Sequence, residues 1–137
     1  MIDLENDIFT AIATAVRTAH PTATVVGEYT ETPASFPCVT IVEADNRVLQ
    51  YMRTNKIENY ASVMYEVNIF SDAAVGKKSQ AKAIANTLDS AFESAGFTRM
   101  MREQIPNMRD AAIYRIVCRY EAVIGAEQSG KYLVYQS

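Results

Sequence analysis

Histidine, cysteine and long apolar runs are scarce in this sequence, and each scarcity removes a class of function. There is one histidine in 137 residues, His20, placed directly before Pro21. Zinc sites and histidine-based triads therefore have almost no material to work with. The two cysteines, Cys38 and Cys118, lie in strand-like apolar runs with no CxxC or Cys/His spacing. They read as buried, reduced thiols rather than a metal clamp or a disulfide framework. No stretch approaches the ~20 apolar residues that cross a bilayer, so no membrane partner is expected. The opening MIDLENDIF is acidic where a secretory signal is basic. The expected place of synthesis and residence is the cytosol, unless a larger assembly carries the chain elsewhere.

What is present is an ordinary globular composition, 49% hydrophobic with a net charge of −3, sufficient for one domain with its own core. Negative net charge argues against a general nucleic-acid binder. The distribution says more. Residues 1–45 hold seven acids (Asp3, Glu5, Asp7, Glu28, Glu31, Glu43, Asp45) and one base, Arg17. Residues 99–119 hold five arginines (Arg99, Arg102, Arg109, Arg115, Arg119) against Glu103 and Asp110. An acidic region and a basic region suit copies that dock head to tail, although an unevenly charged solvated surface gives the same pattern.

Periodicity supplies the elements. Leu4, Ile8, Ile12, Ala15 and Ala19 form an apolar stripe, with Phe9 and Val16 beside it. This predicts an amphipathic helix with Asp3 as N-cap, ended by His20-Pro21. TATVVGEY and CVTIVEA read as strands around the proline-containing loop TETPASFP. Polar, weakly patterned DNRVLQYMRTNKIEN (residues 45–59) reads as a long hairpin tip. Strict alternation from Ala61 to Ile69 predicts a half-buried strand. A second helix carries Ala81, Ile84, Leu88, Ala91, Phe92 and Ala95 on one face and stops at Gly96. Its opening GKKS mimics a phosphate-binding loop only superficially. The glycine required five residues before Gly76 is Ser71, and the position after Lys77 is Lys78 rather than Ser or Thr.

FTRMMREQI reads as a further strand ended by Pro106. In the stretch after the turn NMRD, Ala112, Tyr114, Ile116, Cys118, Tyr120, Ala122 and Ile124 share one face. Ile113, Arg115, Val117, Arg119, Glu121 and Val123 share the other. This is a long strand with an apolar inner face and a mixed outer one, so Arg115 and Arg119 point away from the core. The last apolar tetrapeptide, Tyr132–Tyr135, is either frayed or a strand added to its own or a neighbour's sheet. The predicted architecture is α+β: a mostly antiparallel sheet of four to five strands with two helices packed on one face. It forms a single domain over residues 1–124, followed by a flexible or strand-adding segment over 125–137.

Three stretches together carry a family resemblance: FPCVTIVEADN (36–46), YEVNIFSDAAVGKKSQAKAIANTLD (65–89) and GFTRMMREQIPNMRDAAIYRIVCRYEAVI (96–124). They resemble the tail-terminator, or tail-completion, proteins of long-tailed bacteriophages and prophages. The likeness covers most of the chain, leaves the residues after Gly125 outside it, and contains no catalytic signature. It implies a ring, hexameric in that family, that ends tail-tube polymerisation at the head-proximal end of the virion tail. The implied partners are copies of the chain itself, the major tail-tube protein and a head–tail connector or stopper. DNA passes through such a ring without sequence-specific reading, and no cofactor is involved. Under the resemblance, the 45–59 loop is a docking element through Arg47, Tyr51, Met52, Arg53 and Lys56. Arg99, Arg102, Arg109, Arg115 and Arg119 then face a neighbouring subunit or the lumen, while Tyr132, Leu133, Val134 and Tyr135, outside the resemblance, are candidates for a subunit interface as an added strand.

Three other readings compete. Another neck component, an adaptor or stopper, has similar size and ring-forming habit. A nucleic-acid module needs Tyr114 and Tyr120 to stack beside the arginines, yet both fall on the opposite, core face. An enzyme needs Glu43, Asp45 and Glu66 to converge, and no nucleophile with its base accompanies them.

Overall fold

In the computed structural model, residues 5–28, 33, 35–48, 60–72, 76–105, 112–126 and 132–135 are described. They form α1 (Glu5–Ala19), β1 (Thr24–Val26), β2 (Cys38–Val48), β3 (Tyr60–Ser71), α2 (Lys77–Ser94), β4 (Thr98–Gln104), β5 (Tyr114–Ala126) and β6 (Tyr132–Tyr135). The sheet runs β1-β2-β3-β5-β4, with β6 also on β5. Only β1 and β2 are parallel; the other pairs are antiparallel. The predicted α+β class and the helix-covered face are both present.

The core follows the period-2 pattern. Val63, Tyr65, Val67 and Ile69 of β3 lie opposite Ala122, Tyr120, Cys118 and Ile116 of β5. Val39 and Ile41 of β2 continue the same face, and all of these are buried. Against them pack Ile8, Ile12, Ala13 and Val16 of α1 and Ala81, Ile84, Ala85, Leu88 and Phe92 of α2. The two helices are joined at the α1 terminus, where His20 Nε2 and Thr87 Oγ1 lie 2.9 Å apart. The α1 stripe is rotated from the sequence expectation: Ala13 and Val16 are buried, whereas Ala15 is half-buried and Ala19 exposed. Alanine fits both faces, so the position of the packing partner decides which ones are covered.

Helix α2 stops as its sequence predicts. Gly96 takes φ 90°, a conformation that favours glycine. The Phe97 N–H donates to the Phe92 carbonyl at 2.8 Å and the Gly96 N–H to Glu93 at 2.9 Å. That is a Schellman stop, and its accompanying apolar contact is the Phe92–Phe97 pair, 5.4 Å between centroids.

Three boundaries depart from expectation. Strand β1 is only three residues long. The expected 45–59 loop does not start at Asp45, because β2 continues through Asp45, Asn46, Arg47 and Val48; residues 49–59 lie outside the described ones. A bulge between Glu43 and Asp45 absorbs one residue, so the polar segment stays in the ladder with β3. Thirdly, β6 lies along its own chain's β5, at Val123–Ala126, beyond the stretch that β4 occupies.

Candidate functional site

The polar chemistry concentrates in two places, one under α2 and one on the sheet face that carries no helix. Under α2, Asp89 is the centre. Its Oδ2 accepts from Arg99 Nη1 at 2.8 Å and Arg102 Nη2 at 2.6 Å, while its Oδ1 accepts from the Tyr120 hydroxyl at 2.5 Å. A register shift between Arg99 and Met101 puts Arg99 and Arg102 opposite Tyr120 and Cys118, so both arginines face α2. The Tyr120 ring stacks on Phe92 at 4.1 Å. Burial, reinforced by its hydrogen bond to Asp89, pushes the Tyr120 hydroxyl pKa up. Burial likewise raises the Cys118 thiol, partly countered by the Tyr120 hydroxyl and Arg102.

The other face has a different order. Phe70, Asn68, Thr40, Cys38 and Val117 are buried there, although the helices pack on the opposite side. Arg115 spans two of them: its guanidinium sits 5.5 Å over the Phe70 ring, and its Nε and Nη2 donate to Asn68 Oδ1 at 3.0 and 2.7 Å. Arg119 pairs with Glu66 at 3.6 Å, and Ser62 donates to Glu121 at 2.7 Å. Val42, Ala44, Glu66, Asn68 and Arg115 line a shallow hollow of about 410 Å³.

These positions bear on each residue singled out from the sequence. Arg115 and Arg119 lie on the outer face as expected. Arg99 and Arg102 join the network around Asp89 at the rim of the core, with Arg99 still 46% exposed. Arg47 lies in β2, paired in register with Ser62; Tyr51, Met52, Arg53, Lys56 and Arg109 fall outside the described residues. The backbone of Tyr132, Leu133, Val134 and Tyr135 forms β6. Glu43 is in register with core-facing Tyr65, whereas Glu66 and Asp45 lie on the outer side. Of the two stacking residues a nucleic-acid module would need, Tyr120 is 1% exposed and Tyr114 is partly buried against the core. Among the described residues no group of three or more His, Cys, Asp and Glu side chains is placed to hold a metal ion.

Asp89 and Asn68 escaped the sequence reading. Asn68 has a signal, being a polar residue between the apolar positions Val67 and Ile69 of a central strand. Asp89 has none, since a charged residue beside a helix's apolar stripe is commonplace.

The fold and its polar clusters define an α+β sandwich with one sheet face covered by the helices and one that no described helix covers, whose arginines organise structure. The chain belongs to the family described as tail completion protein gp17, which matches residues 7–125. None of the curated proteins matches it. Family membership makes it a structural protein of the phage tail, a virion component that works with other tail proteins. No described helix is long and apolar enough to cross a membrane.

Proposed function

We propose that copies of this chain close into a ring, hexameric in number, that caps the phage tail tube. The ring ends tube polymerisation at the tail–head junction and presents its far side to the connector or stopper, while DNA passes through its lumen unread. The role is structural rather than catalytic. The family match over residues 7–125 carries this reading. The paired charges Arg119–Glu66 and the half-buried Arg115 on the face that no described helix covers are consistent with it, because mixed polar and apolar surfaces suit contact with other proteins.

The test is a phage in which this gene carries a nonsense mutation, compared with the same phage supplied with the protein in trans. Loss should give tails of uncontrolled length without heads, and electron micrographs of restored particles should show added density at the head-proximal end. Tails of normal length that merely fail to join heads would assign the protein to an adaptor or stopper role instead. Native mass spectrometry of protein bound to isolated tails gives the stoichiometry, for which the expected value is six copies per tail.

A further inference from the structure

The sheet ends in two unlike strands. Strand β4 pairs only with β5 and is exposed along most of its length. Met100 projects from it at the register shift between Arg99 and Met101. It is 57% exposed and is the one exposed large hydrophobic side chain among the described residues. A lone surface methionine is ordinary. Its position is not: it sits on the outermost strand, at a bulge that aims a residue out of the ladder, and beside Arg99. Arg99 and Arg102 share the single carboxylate of Asp89, and the Arg99 side chain is still 46% exposed.

The opposite end carries a hole. Between α1 and β1 runs a groove of about 510 Å³ whose apolar lining is Phe9, Val25, Val26 and Ile41. Gly27 contributes no side chain there, and a Cβ at that position would stand 3.6 Å from the Phe9 ring. Arg17 is held against the groove wall by donating to the Val25 carbonyl at 3.1 Å. Glu28 is the exposed acid of the lining. One edge thus has an apolar projection beside the half-exposed Arg99, and the other an apolar recess whose lining carries Glu28 as well as Arg17.

We propose that Met100 of one copy seats in the α1–β1 groove of the next, with Arg99 meeting Glu28, so that copies join through opposite edges of their sheets. A projection and a recess on different edges make a heterologous contact, which propagates and closes into a ring when the rotation between copies allows. Methionine suits this use, since its flexible, polarisable side chain fills irregular recesses. The inference rests on the ring reading above and supplies that ring's subunit contact.

Cysteine cross-linking of the full chain tests it. Met100→Cys, Glu28→Cys and the double variant are each assembled on isolated tails, oxidised and separated under denaturing conditions. The native Cys38 and Cys118 are buried and do not interfere. The double variant should give a ladder of covalent multimers. A mixture of the two single variants should stop at dimers, and either single variant alone should remain monomeric. Dimers from Met100→Cys alone, or assembled rings without any ladder, would overturn the contact while leaving the ring reading intact. A cross-link solely to a tail-tube protein would overturn it too. Wild-type protein that native mass spectrometry finds as a single copy on tails would overturn both readings. As a non-covalent check, Met100→Asp should weaken assembly tenfold or more with an unchanged melting temperature, and undiminished assembly would count against the contact.

Discussion

Asp89 holds three donors that come from two strands, so its replacement separates packing from polar anchoring. Asp89→Ala removes the acceptor of a buried tyrosine hydroxyl, which costs about 1–3 kcal/mol when left unmet. The arginine pairs add less, because they are partly solvated. Asp89→Asn keeps an acceptor for Tyr120 and should lose less stability than Asp89→Ala. Urea denaturation of the two variants checks the order, and equal stability to the parent would show the network to be incidental. Alkali gives a second expectation. Burial raises the pKa values of Cys38, Cys118 and Tyr120 in the folded chain. Raised values mean that the unfolded state loses these protons first, so their contribution is intact below the unfolded values, near 9 for the thiols and 10 for the phenol. Above them it is lost as pH rises towards the folded values. The urea midpoint should therefore fall between pH 8 and 11, and Tyr120→Phe should fall less steeply over the upper part of that range.

At the scale of elements, the α2 terminus and the outer face of β3–β5 are the informative places. Gly96→Ala forces a side chain into the left-handed region and should destabilise by about 1–2 kcal/mol. The cost should appear as a lower melting temperature with an unaltered circular dichroism spectrum. Arg115 does two jobs on the outer face, covering the Phe70 ring and donating twice to Asn68. Lysine cannot reproduce that fork. Arg115→Lys and Arg115→Met should therefore both destabilise, with Met retaining the apolar cover and Lys the charge. A melting temperature unchanged in both would show that Phe70 and Asn68 need no cover from this side chain.

For the whole molecule, the C-terminal strand and the 49–59 segment carry opposite expectations. Because β6 lies on its own β5, removing residues after 126 should uncover part of a central strand's edge and lower the stability of the monomer. A chain equally stable without them, yet unable to assemble, would instead make the segment a clip between subunits. The sequence reads 49–59 as polar and weakly patterned, so changing Arg53 and Lys56 together to Glu should leave the fold intact, as substitutions outside a core usually stay within about 0.5 kcal/mol. Through like-charge repulsion it should impair capping or head joining. Tail length and infectious yield measure this, and normal values for both would make the segment a spacer.

Local pattern was enough for the α+β class, the inner face of β3 and β5, the end of α2 at Gly96 and the family. Each of these depends on local chemistry: side chains alternate along any strand, and a residue at positive φ favours glycine wherever it stands. It also placed Arg115 and Arg119 on the outer face, by the same period of two. The tertiary structure alone decided what the arginines meet. Asp89 lies on α2 while Arg99 and Arg102 lie on β4, and the charge contrast read along the chain is partly neutralised by such pairs. The length of β2 and the course of β6 were likewise set by the strands they pair with, and the rotation of α1 by the elements packed against it. A polar segment becomes a strand where a neighbouring ladder offers hydrogen bonds, and an alanine is buried only where another element arrives to cover it.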